Sequence, residues 1–142
     1  MPRNIFACAL FLGLVALCAC SSDNPPSPPE IDAAVDRYQK VWDEEFNSFF
    51  KEVKGPKAPE ILIRNTRAAR NAKLAKYIAG DRVLAAGARC MTKQLARTTG
   101  KASPTFDQIN WMAPAVHAAF QEALNDMKKP PEAAPACVWS KN

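Results

Sequence analysis

Histidine occurs once in this chain, at His117. That scarcity excludes imidazole-rich metal sites and leaves a single candidate base for any activated nucleophile. No serine stands in a Gly-x-Ser-x-Gly setting. Glycine is also scarce, with five residues and no phosphate-cradling loop among them. There is no Asn-Gly or Asp-Gly hairpin turn and little strict apolar alternation, so a β fold has no sequence signal. No Cys-x-x-Cys pair and no internal repeat are present. Beyond Leu17 no apolar run approaches the roughly 20 residues a spanning helix needs.

The N-terminus carries the most specific pattern. Arg3 precedes an apolar run from Ile5 to Leu17, and the run closes on Leu17-Cys18-Ala19-Cys20. A basic start, a short apolar stretch and a small residue at the cut make a secretory signal. The four closing residues resemble the lipobox of bacterial lipoproteins. That resemblance covers only about the first twenty residues. It implies cleavage after Ala19, acylation of Cys20 and a lipid-held N-terminus in the cell envelope. In bacteria with two membranes, Ser21 after the acylated cysteine implies sorting to the outer membrane, facing the periplasm. An uncleaved membrane anchor is the alternative, and the apolar run is short for one.

Processing of that kind accounts for three of the five cysteines. Cys8 and Cys18 leave with residues 1–19, and Cys20 is taken by lipid. Cys90 and Cys137 remain, and in an oxidising compartment a remaining pair is expected to form a disulfide. A buried free thiol or a metal pair is the alternative. The bridge would close a long loop, worth about 4 kcal/mol on the chain-entropy account.

Charge is strongly segregated. The formal net charge of +5 hides an acidic start, with eight acids and four bases over residues 20–55. Residues 56–104 hold eleven bases and two acids, and residues 105–142 hold three bases and four acids.

Residues 21–29, SSDNPPSPP, read as a tether that sets the domain of residues 30–142 roughly 25–30 Å from its anchor. Ser27, Pro28 and Glu30 form a helix start with a capping box. Ile31, Val35, Tyr38, Trp42, Phe46, Phe49 and Val53 follow at steps of three and four, widened by Phe50, and Gly55-Pro56 stops the helix. A second helix runs from Pro59 to Gly80. Asp81 caps a third, which Gly100 closes, with Leu84, Gly87, Ala88, Met91 and Leu95 as its stripe. Gly87 inside that stripe predicts a close helix crossing. The fourth helical region opens at Thr105 and Gln108, and Pro114 should kink or split it near Met112–Ala113. Its stripe is Phe106, Ile109, Met112, Val116, Ala119, Phe120, Ala123, Leu124 and Met127. The expected fold is all-α, a compact bundle of four to five helices with a C-terminal tail pinned by Cys137, Val138 and Trp139.

Catalytic groups are few. His117 on a mostly apolar helix reads as structural or surface. Asp43, Glu44, Glu45 and Glu52 could in principle supply a carboxylate pair, but neighbours on a helix point apart. No catalytic residue, metal ligand or cofactor is assigned, and a hydrolase is the least favoured reading. The basic middle is the main functional signal. Arg64, Arg67, Arg70, Lys73 and Lys76 recur every third residue. Each such step slips about 60° around a helix, so the row winds about the helix instead of forming one face. Three expectations follow: a solvated surface partly neutralised by helix-one acids such as Glu44 or Glu52, a docking face for an acidic protein, or contact with anionic lipid head groups. Nucleic acid is not expected in the envelope. The reading is therefore a lipid-anchored, non-enzymatic protein-binding module, specifically an immunity-type inhibitor of an exported antibacterial effector. An accessory part of an envelope or secretion assembly is the alternative.

Overall fold

A computed structural model describes residues 24–54 and 58–140. The signal segment, Cys20, the start of the tether, Gly55-Pro56 and Lys57 lie outside the described residues. Four α-helices form the body: α1 (Pro28–Glu52), α2 (Glu60–Gly80), α3 (Arg82–Thr99) and α4 (Pro114–Asp126). Two single 3-10 turns, Phe106–Gln108 and Pro135–Cys137, complete the regular structure, and no strand occurs among the described residues. The all-α expectation and the disulfide-pinned tail both hold.

The helix ends follow the local chemistry. The Glu30 carboxylate accepts the Ser27 N–H at 2.7 Å, closing the capping box of α1. Asp81 Oδ1 accepts from the N–H groups of Val83 and Leu84 at 2.9 and 3.1 Å, which opens α3. Gly100 ends α3 with φ 66°, a left-handed turn that glycine adopts without a Cβ clash.

Pro114 splits the fourth region. Thr105 and Gln108 make the expected capping box, but only for the turn Phe106–Gln108. Ala113 is extended, with ψ 128°, as the residue before a proline prefers. Pro114 then serves as the first residue of α4.

One core joins all four helices. Ile31, Ala34, Tyr38, Trp42 and Phe49 enter it from α1, Leu74 and Ile78 from α2, Leu84, Ala88 and Met91 from α3, and Phe120, Ala123 and Leu124 from α4. Gly87 marks the α3–α4 crossing. A Cβ there would lie 2.3 Å from Leu124 Cδ2, so the missing side chain is what allows the close approach.

Four details depart from the expected stripes. Phe50 is 53% exposed and does not widen the buried face of α1. Leu95 at the end of α3 is exposed as well. Glu45, a charged residue, is buried in α1's packed face. It stands three residues after Trp42 and four before Phe49, so helical geometry turns it inward with them. Trp111, which no helical stripe included, is fully buried. It lies in the non-helical link before Pro114, where a 3.6-residue period does not apply, and its Nε1–H donates to the Phe106 carbonyl at 3.2 Å.

The tail is fixed by the Cys90–Cys137 disulfide, whose Cα atoms are 4.5 Å apart at a sequence separation of 47. Ala134 and Ala136 are buried beside it. No described helix is long and apolar enough to cross a membrane.

Candidate functional site

The cationic row of α2 divides by partner. Helix α1 lies alongside α2 and presents Glu45 and Glu52 to it. Arg70 Nη1 donates to Glu45 Oε2 at 2.9 Å, and Arg70 Nη2 donates to Glu52. Lys73 Nζ donates to the other oxygen of Glu45. Burial disfavours the Glu45 charge, but the hydrogen bonds from Lys73 and Arg70 outweigh it and hold the carboxyl below its ordinary range. Glu45 is thus an ionised member of a bridge between helices. Glu52 shares Arg70 with it, and Asp43 accepts from Gln39 at 2.9 Å, while Glu44 is exposed. Glu45 and Glu52 are thus held as ion-pair partners of α2.

Arg64, Arg67 and Lys76 make no ion pair within 4 Å among the described residues. The winding of the row explains the division: its middle turn meets the acids of α1, and its ends turn away from them. Arg67 stands over the Phe49 ring, 5.5 Å from the centroid.

Arg64 and Arg67 border two adjoining grooves. The first, about 460 Å³, runs between α2 and the 107–110 segment and is lined by Ile63, Arg64, Arg67, Asn71 and Ile109, with Glu60 and Asp107 among its remaining walls. The second, about 300 Å³, is walled by Phe46, Phe49, Phe50, Met112 and Pro114. Arg67 and Asn110 belong to both. Asn71 Nδ2 donates to the Ile109 carbonyl at 3.1 Å, while its buried Oδ1 has no hydrogen-bond partner among the described residues. Ile61 and Leu62, at 53% and 45% exposure, continue the apolar surface toward the start of α2.

Sequence reasoning identified the arginines, but for the aromatic stripe of α1 it favours a core-facing role over an exposed partner groove. Phe46, Phe49 and Phe50 appeared there as one packed stripe. The signal that separates them is Pro114: by splitting the fourth helix it replaces a continuous packed face with a link, and Met112 and Pro114 become a groove wall.

His117 sits elsewhere, inside the bundle. Its ring stacks on Trp42 at 4.0 Å between centroids. Gln39 donates its Nε2–H to Asp43, so its Oε1 is left as the acceptor facing His117 Nε2 at 3.0 Å. Nε2 therefore carries the proton, and Nδ1 accepts from the Tyr38 hydroxyl at 3.2 Å. Gln121 donates to the same Gln39 oxygen. Burial depresses the imidazole pKa, with Asp43 opposing it weakly. Tyr38, fully buried, is shifted well up by its own burial. The cluster ties α4 to α1, and no serine, threonine or cysteine is among the partners of His117.

Among the described residues, no three His, Cys, Asp or Glu side chains converge as a metal site. Cys90 and Cys137 are joined to each other. The geometry thus defines a small all-α, disulfide-stapled domain with an apolar, arginine-bordered groove. No family model, curated protein or solved structure matches the chain.

Proposed function

We propose that this chain is an envelope lipoprotein, acylated at Cys20, whose domain is a non-enzymatic protein-binding module. The specific reading is an immunity-type inhibitor that neutralises an exported antibacterial effector. One observation carries the protein-binding reading: Arg67, without an ion pair among the described residues, borders both the groove walled by Phe46, Phe49, Phe50 and Met112 and the adjoining one that Arg64 lines. Aromatic walls beside guanidinium groups that have no carboxylate partner among the described residues suit an apolar segment that carries a carboxylate. Arg70 and Lys73 hold the helix that presents the groove. Lys76 borders a separate depression with Val41 and Tyr77.

The partner is an acidic protein of the envelope or one passing through it. Steering by the basic α2 surface would speed its capture at low salt. The immunity reading rests on class: a tethered, stapled domain with a binding surface and no assembled catalytic set. Deleting the gene tests it. Killing of the deletion strain by its parent supports immunity. Normal growth beside the parent with loss of an exported product points instead to an accessory part of a secretion assembly.

A further inference from the structure

A second surface shares no residue with the α2 grooves. Helix α3 contains four cations and no acid. Arg82, Arg89, Lys93 and Arg97 are spaced seven, four and four residues apart, which keeps them within about 80° of the helix circumference. Unlike the α2 row, this is one true face. Arg89, Lys93 and Arg97 make no ion pair within 4 Å among the described residues.

The C-terminal tail borders this face. Val138 and Trp139 flank Arg89 and Lys93, and the Arg82 guanidinium stands 5.2 Å from the Trp139 ring centroid. Val138 is 46% exposed and Trp139 partly so. The disulfide at Cys90 clamps the tail in this position.

The incoming chain arrives at the same place. Arg82 Nη1 donates to the Asn24 carbonyl at 3.1 Å, and Arg82 also faces Glu30 at 3.5 Å. Cys20 precedes Asn24 by four residues, which span at most about 14 Å. Whatever Cys20 is attached to lies within that reach of the Arg82 end of the stripe, nearer than the roughly 25–30 Å expected of residues 21–29 as a free tether, because Arg82 holds Asn24 against the domain.

We propose that the α3–tail face rests on the head groups of an anionic membrane, with Arg89 and Lys93 on lipid phosphates and Val138 and Trp139 at the interface. This rests on the acylation reading of Cys20. A cationic stripe beside an exposed aliphatic and a tryptophan is the composition that interfaces favour. The short reach from Cys20 supplies a high local concentration of the surface. The α2 grooves, built from other residues, are left available to a protein.

The test uses the full chain purified from membranes. Intact mass first reports whether Cys20 carries acyl groups, which decides the anchor reading separately. The protein is then placed in vesicles of phosphatidylcholine alone or with about a third phosphatidylglycerol, and tryptophan quenching by aqueous acrylamide is measured. Trp42 and Trp111 are buried, so Trp139 supplies the change. Shielding is expected in the anionic vesicles, lost at high salt and absent in Trp139→Phe. Arg89→Glu with Lys93→Glu should weaken docking by roughly thirtyfold or more. Were Cys20 unmodified, co-sedimentation with the same two vesicles would replace quenching, with binding to the anionic set expected. Equal accessibility or equal sedimentation in both compositions overturns the proposal. So does a double reversal that leaves shielding intact. If the face instead binds an envelope protein and ignores anionic lipid, it is a protein surface and the lipid assignment is wrong.

Discussion

The Arg70 guanidinium lies 2.9 Å from the buried Glu45 carboxylate, and this contact divides the cationic row of α2. Arg70 and Lys73 are turned onto α1, while Arg64 and Arg67 face the grooves. One row of like residues is therefore divided between ion pairs to α1 and groove walls. Substitutions along it should separate stability from binding.

Glu45→Ala should cost about 2 kcal/mol. It leaves Arg70 partly buried beside an apolar gap, but Lys73 is mostly solvated, which reduces the loss from that of a fully buried pair. Arg64→Ala and Arg67→Ala should each stay within about 0.5–1 kcal/mol, since neither has an ion pair among the described residues. Urea unfolding checks this. Equal losses at all three positions would mean that the row is not divided.

Stability should fall as the solution is acidified, in two stages. The folded pKa of His117 is depressed, so the unfolded chain binds its proton first, and stability decreases as pH falls below about 6.5. Glu45 and Asp81 have lowered pKa values, so the stability they contribute is present above their unfolded values near 4 and is lost as pH falls through the folded ones. Unfolding measured at pH 8, 5.5 and 3.5 should show both. His117→Gln should flatten the slope between pH 7 and 5, and an unchanged slope would remove His117 from the account.

Gly87→Ala should destabilise by about 1 kcal/mol despite the better helix propensity of alanine. The new methyl would meet Leu124 Cδ2 and Cγ at 2.3 and 2.9 Å, and Leu124 is fully buried with little room to move. Gly80 has nothing within 4 Å of the same added atom, so Gly80→Ala should be neutral or slightly stabilising. Opposite signs in thermal melts support the close crossing. A stabilised Gly87→Ala would contradict it.

Replacing Cys90 and Cys137 together by alanine should cost about 2–4 kcal/mol and free the tail. Cleavage after Lys128 by trypsin should then proceed from the native state; Lys129 precedes Pro130 and is not a trypsin site. Resistance equal to that of the parent would show that packing of Ala134 and Ala136 alone holds the tail.

The four-helix body was legible because its punctuation is local. Ser27 with Glu30, Asp81, Gly100 and Pro114 act within a few residues of themselves, and each does in the fold what its chemistry dictates. The disulfide followed from compartment and elimination. The grooves were not legible. Phe50 continues α1's aromatic stripe in sequence, yet it is exposed because the link before Pro114 does not cover it. Trp111 escaped because a helical period was applied to a segment that is not helical. His117 depends on Tyr38 and Gln39, 79 and 78 residues away, and no local pattern encodes such a contact. The α3 face was visible as residue types in the sequence, but its place beside the tail and the incoming chain needed the fold.

The proposed function requires Arg64 and Arg67 to bind a protein partner that would otherwise kill the cell. Co-culture of a deletion strain with its parent measures this most directly, with the strain complemented by variant genes. Survival is expected with the native gene and with Gly80→Ala, and killing with no gene or with Arg64→Glu plus Arg67→Glu, at equal levels of folded protein. Equal growth of the uncomplemented strain beside its parent, or full protection by the double reversal, would contradict the account.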